Sequence, residues 1–159
     1  FPGLHAELLM QEAISPVCAP EVAKTLGSIA DLEHHTILRD ALQNVGSPPS
    51  WEFWAEEAGF TLPQLPLSRQ FGQANMVIQA AIQGLGVAMG RGPLVADAIA
   101  QGLLVCPFEN VVASQFSYWL VCRHDALKSQ KVRLFCEWLH EQTAAQDAES
   151  LRGNTVPTH

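Results

Sequence analysis

The sequence predicts an α/β protein built on an open sheet, and three observations carry that expectation. Short apolar runs with strand chemistry alternate with stretches of helical periodicity along most of the chain. The 159 residues, 48% of them hydrophobic, are enough for one compact domain with its own core. FSYWLVCR, residues 116–123, is apolar on both faces, as in a strand covered on both sides of a parallel or mixed sheet.

The first strand signal comes as two runs, residues 5–10 and 13–18. Pro16 lies in the second and favours an edge or crossing segment, because it brings no N–H to a ladder. In APEVAKTLG, Pro20 suits a first helical turn and Gly27 the position past its end, which predicts a short helix. Ser28 and Asp31 have capping spacing for a second short helix through Leu32 or Glu33, and strand chemistry returns at residues 36–39. NVGSPPS, residues 44–50, reads as a loop whose Ser50 caps a helix over Trp51–Ala58, ended by Gly59, with Trp51, Trp54 and Ala55 on one face. The two prolines of TLPQLPLS disfavour a helix there, and RQFG follows as a short strand.

Residues 75–83 carry Val77, Ile78, Ala81 and Ile82 at helical spacing, with Gly84 as a left-handed terminator and residues 87–89 as a buried strand. Gly92-Pro93 opens a helix that closes at Gly102, and LLVCPF reads as a strand. After FSYWLVCR, residues 129–143 place Val132, Phe135, Trp138 and Leu139 on the inner face of an amphipathic helix, with Lys131, Arg133, Glu137 and Glu141 outside. The polar residues 145–159 are expected to form a flexible tail.

Several function classes are disfavoured by composition. With 9 Lys+Arg against 16 Asp+Glu and no basic stripe, this segment by itself is not expected to bind DNA or RNA. Only 16% of residues are charged, below the usual ~25%, so much of the surface is expected to be apolar, small or covered by something else, an absent partner among the options. Cys18, Cys106, Cys122 and Cys136 are widely spaced and read as reduced thiols, and none has zinc-pair spacing. No signal peptide and no apolar run near the ~18 residues of a membrane helix is visible, so a cytoplasmic protein with no membrane contact is expected.

Gly84, Gly86 and Gly90 imitate a dinucleotide-binding loop, but they follow a helix and precede a strand. The turn then presents carbonyls, the wrong sign for phosphate. The opposite end of that helix is more promising: at RQFGQAN, free N–H groups near Gln73 and Asn75 suit a carboxylate or other anion, and self-capping by those side chains is an equal reading. His34-His35 has no third ligand, Glu56-Glu57 no partner carboxylates, and His124-Asp125 no serine in a nucleophile elbow. No catalytic residues, metal or cofactor are expected.

FGQANMVIQAAIQGLGVAMGRGPLVADAIAQGLLVCPF, followed by SYWLVCR and FCEWL, resembles the C-terminal effector-binding domain of LysR-type transcriptional regulators, in the branch of the glycine-cleavage activator and the β-lactamase regulator. LLMQEAISPVCAPEV resembles that family's crossing between subdomains, and SWEFWAEEAG the branch's W-x-x-W-x-x-x-AG, so the likeness covers roughly residues 3–143.

The resemblance implies a periplasmic-binding-protein-like (type II) open sheet of two subdomains hinged by two crossing strands. Within a partial effector-binding domain, residues 1–144, it assigns residues 16–116 to the second subdomain and 117–144 to the returning strand and final helix of the first. The winged helix-turn-helix would lie outside this chain, and DNA would be met only through it. The implied partner is a small-molecule effector, anionic or amphoteric, together with a second copy in a homodimer.

The effector-contacting positions that match are Gly72, Gln73, Ala74 and Asn75, where this sequence departs from the family's usual serine or threonine, and Tyr118, which otherwise reads as a buried hydroxyl with a backbone partner. Arg39, at the end of its strand, is a candidate partner for an anionic effector or a plain surface arginine; Pro16 and Val17 would belong to the hinge. The other class of function that fits is a stand-alone periplasmic-type solute-binding domain, against which the missing signal peptide and unpaired cysteines speak.

Overall fold

A computed structural model describes residues 2–40 and 51–149. Among them are five strands, β1 (Leu4–Val17), β2 (Ile37–Asp40), β3 (Ser68–Phe71), β4 (Val87–Arg91) and β5 (Val112–Arg123). The helices are α1 (Pro20–Ala23), α2 (Trp51–Ala58), α3 (Ala74–Ile82), α4 (Gly92–Ala100) and α5 (Gln130–Glu149), with 3₁₀ turns at Ile29–His34 and His124–Lys128. The sheet order is β3-β2-β4-β1-β5. β2 runs parallel to both β3 and β4, whereas β1 is antiparallel to β4 and β5.

The two runs of the N-terminal segment form one strand that changes partner along its length. From Leu4 to Ile14 β1 pairs with β5, and from Ile14 to Val17 with β4. Pro16 falls past the end of the β5 ladder and faces only Met89 of β4, so its missing N–H costs no bond on the other side.

Side chains of the central strands alternate between two apolar layers, as a pleat requires. Ile14, Ile37, Val87 and Met89 pack with Trp51, Trp54 and Phe108 on the α2 side. Val17, Leu38 and Ala88 pack with Val77, Ala81, Val95 and Leu104 on the side of α3 and α4. Trp54 packs its indole edge to face with Phe60 and donates Nε1–H to the Asn110 carbonyl at 2.9 Å, so its one polar atom is satisfied inside the core.

Several expectations require correction. The first helix stops at Ala23, well short of Gly27, whose N–H instead donates to the Asp31 carboxylate at 2.8 Å together with that of Ser28 at 2.9 Å. LLVCPF is not a strand. It makes only isolated bridges, that of Val105 being to Cys18, and owes its apolar character to burial of Leu104, Val105, Cys106 and Phe108.

β5 starts earlier, at Val112, and is not covered on both faces. It lies at the sheet edge, and Trp119 is 52% exposed because α5 packs against only one side of the β1–β5 ribbon. On α5, Val132, Cys136 and Leu139 are half-buried and Thr143 is buried, whereas Phe135 and Trp138 point outward and stack on each other at 5.9 Å. The helix also continues past residue 144 to Glu149. The expected loop at residues 44–50 and its capping Ser50 lie outside the described residues.

The glycine pair between α3 and β4 is scaffold. Gly84 adopts φ +77° and ends the helix, while a Cβ on Gly86 would sit 2.2 Å from the carbonyl oxygen of Thr36, where β4 draws alongside β2. Gly86→Ala is expected to destabilise the fold by about 3 kcal/mol or more in urea unfolding, because backbone rather than a flexible side chain must move.

Candidate functional site

The parallel strands β2 and β4 end side by side, and the chain after β4 turns directly into α4, as the chain after β3 turns into α3. Ligands of open α/β sheets sit at such carboxyl ends, where helix N-termini leave N–H groups unpaired. Here Asp40, Ala74, Ile78, Arg91, Leu94 and Val95 line a small cavity that is partly open to solvent, with about 20 Å³ of space within it. Gln73 takes the N-cap position of α3 in an extended conformation without a side-chain cap bond. Its carbonyl accepts from Met76 and Val77, so the first N–H groups of the helix, those of Ala74 and Asn75, have no intrahelical partner.

Arg91 joins this cavity to the crossing strand. Its Nε donates to Glu12 Oε1 at 2.5 Å, with the Glu12 side chain fully buried and the Arg91 side chain 29% exposed. Tyr118, on β5, directs its hydroxyl at the same carboxylate oxygen at 3.4 Å, a long contact. Burial pushes the Tyr118 phenol above its ordinary value; the Glu12 carboxylate adds to that shift and the Arg91 guanidinium opposes it.

The sequence-predicted site residues therefore separate. Ala74 lines the cavity, and Tyr118 reaches it through Glu12 and Arg91. Gly72 and Gln73 are exposed at the turn before α3. Asn75 turns its side chain to the outer surface of α3, beside Phe71, Met76, Gln79 and Gln83, in an open groove of about 310 Å³. Arg39 points to the α2 side, 3.8 Å from Glu52, because β2 alternates and puts its neighbour Asp40 on the cavity side. Pro16 and Val17 sit in the ladder with Met89 and Ala88.

Glu12, Asp40 and Arg91 were not singled out by the sequence. The one signal for Glu12 is a charge in the gap between two apolar strand runs; for Arg91 it is a charge between a buried strand and a helix-opening Gly-Pro.

Among the described residues, no group of three His, Cys, Asp or Glu side chains is arranged for a metal. His35 is held by Thr25 and by the Asp31 carbonyl. All four cysteines are free, and burial pushes the Cys18 and Cys106 thiols up to about 12 and about 11. Among the described residues, no helix is long and apolar enough to cross a membrane.

Removing one member of a buried ion pair strands the other. Glu12→Ala or Arg91→Ala is expected to cost about 3–5 kcal/mol in chemical denaturation, and the double change Glu12→Met/Arg91→Met clearly less than the sum of the two.

The chain matches the model of the LysR substrate binding domain over residues 1–144. It is 34% identical over 149 residues to the glycine cleavage system transcriptional activator of Escherichia coli K12, covering 92% of this chain and 47% of that protein. It is 32% identical over 144 residues to the HTH-type transcriptional regulator DsdC of the same strain, with 87% and 46% covered. The chain thus spans about half the length of the curated relatives it matches. Among solved structures, the effector domain of the transcriptional regulator AmpR of Pseudomonas aeruginosa superposes with a TM-score of 0.72 at 31% identity, over 92% of this chain and 68% of that one. The fold is therefore the periplasmic-binding-protein-like, type II open sheet of such effector domains. The chain belongs to the LysR substrate-binding domain family.

Proposed function

We propose that this chain is the effector-sensing part of a bacterial transcriptional regulator, taking a small molecule at the carboxyl ends of β2 and β4. The observation that carries this reading is the convergence, at one cavity, of the N-terminal turn of α3 at Ala74 with two charged side chains, Asp40 and Arg91, and through Glu12 with Tyr118 of the returning strand. One cation and two carboxylates within one neighbourhood suit an amphoteric ligand: its acidic end meets the guanidinium or the helix N–H groups, and its basic end meets a carboxylate.

Closure around that ligand draws on β1 and β5, the strands that run from the cavity into the α5 layer. The ligand shifts the regulator's state only by its difference in affinity for the open and closed arrangements. DNA is contacted through a domain outside this chain, the regulator works as a cytoplasmic homodimer, and the site performs no catalysis. The match to a family of regulators supports these assignments.

In a full regulator carrying this domain, Tyr118→Phe and Asp40→Asn are expected to weaken effector-dependent transcription by about tenfold, the loss of roughly one hydrogen bond to a charged group, while leaving operator binding intact. Asn75→Ala, on the outer groove, is expected to respond like the parent. A response unchanged in the first two variants and lost in the third would move the site to the outer surface of α3.

A further inference from the structure

Glu12 occupies an unusual place. It lies at the register shift between Gln11 and Ala13, where β1 is about to exchange β5 for β4 as its partner. Its side chain is fully buried, Oε1 is taken by Arg91 and approached by Tyr118, and Oε2 has no hydrogen-bond partner among the described residues.

Arg91 is the cationic side chain lining the cavity, so the guanidinium that an anionic ligand would seek is already engaged by a carboxylate of the protein itself. A simple anion that drew Arg91 away would leave Glu12 buried without its counter-charge, with one oxygen already unpaired. A ligand with its own donor or cation does not meet that penalty, because it restores what it removes.

We propose that Glu12 is a resident counter-ion that sets the charge selectivity of the cleft, closing Arg91 to simple anions and admitting ligands that carry a cationic or hydrogen-bond-donating group beside their acidic one. Glu12 acts through Arg91 and is a specificity-determining positioning residue. The inference rests on the cleft being the effector site, but its test needs no effector.

Inorganic sulfate is the probe, titrated into the purified chain at constant ionic strength and followed by tryptophan fluorescence. The parent protein and Arg91→Gln should show the same weak, unsaturable response. Glu12→Gln, which keeps the side-chain shape, should bind sulfate saturably and about tenfold or more tighter than the parent, and Glu12→Gln/Arg91→Gln should lose that gain. Saturable, Arg91-dependent sulfate binding by the parent overturns the proposal even if Glu12→Gln fails to fold, and a folded Glu12→Gln that gains no sulfate binding overturns it as well. Failure of the effector reading would appear elsewhere, as an unaltered transcriptional response in Tyr118→Phe and Asp40→Asn.

Discussion

Backbone pairing of β1 with two different neighbours is the constraint from which the rest of the structure follows. Over Leu4 to Ile14 the strand belongs to a ribbon with β5, and over Ile14 to Val17 it belongs to the sheet with β4, β2 and β3. A register shift is needed where the two pairings meet, and there the chain carries Glu12. The buried carboxylate holds Arg91 at the end of β4 and is approached by Tyr118 on β5, so one side chain ties β1 to β4 and faces β5 at the point where their directions are reconciled. Asp40 and α3 are placed around Arg91 by the parallel pairing of β2 with β4.

The ribbon end of the molecule is held differently. Two strands by themselves are marginal in water, and here α5 covers one face through Val132, Cys136 and Leu139, with His140 bonded to the Glu7 carboxylate at 2.7 Å. Hydrogen bonds from His5 and His140 hold the Glu7 carboxyl below the ordinary carboxylate range. A carboxylate with a lowered folded pKa contributes stability above its unfolded value, and that contribution is lost as pH falls through the folded one. The part of the helix clasp that Glu7 supplies is therefore present at neutral pH and is lost in acid. The opposite face of the ribbon, with Leu8 and Trp119, stays open to solvent.

Much of this architecture was legible because local chemistry and tertiary packing agree. Trp51, Trp54 and Ala55 share one helical face and are buried there, Gly84 ends α3 in the left-handed region, and the Gly-Pro pair opens α4. The misreadings have a common cause: apolar sequence reports burial but not its geometry. Leu104 to Phe108 is buried as irregular chain rather than laddered strand, while FSYWLVCR, with similar composition, is laddered yet half open. Phe135 and Trp138 fit the helical period but lie one step round from the stripe that meets the sheet. At the candidate site, the N-terminal end of α3 stands out in the sequence by its polarity, whereas Glu12 and Arg91, 79 residues apart, become a pair only once β1 and β4 align.

Amide hydrogen exchange on the regulator, with and without saturating effector, tests most directly whether the cleft at the carboxyl ends of β2 and β4 is where the ligand is held. Strongest added protection is predicted at the first turn of α3, around Ala74, and along the β4–α4 junction at Arg91, with the outer face of α3 little changed. Protection confined to the outer groove around Phe71 and Gln79, with Arg91 and Ala74 unaffected, would contradict it.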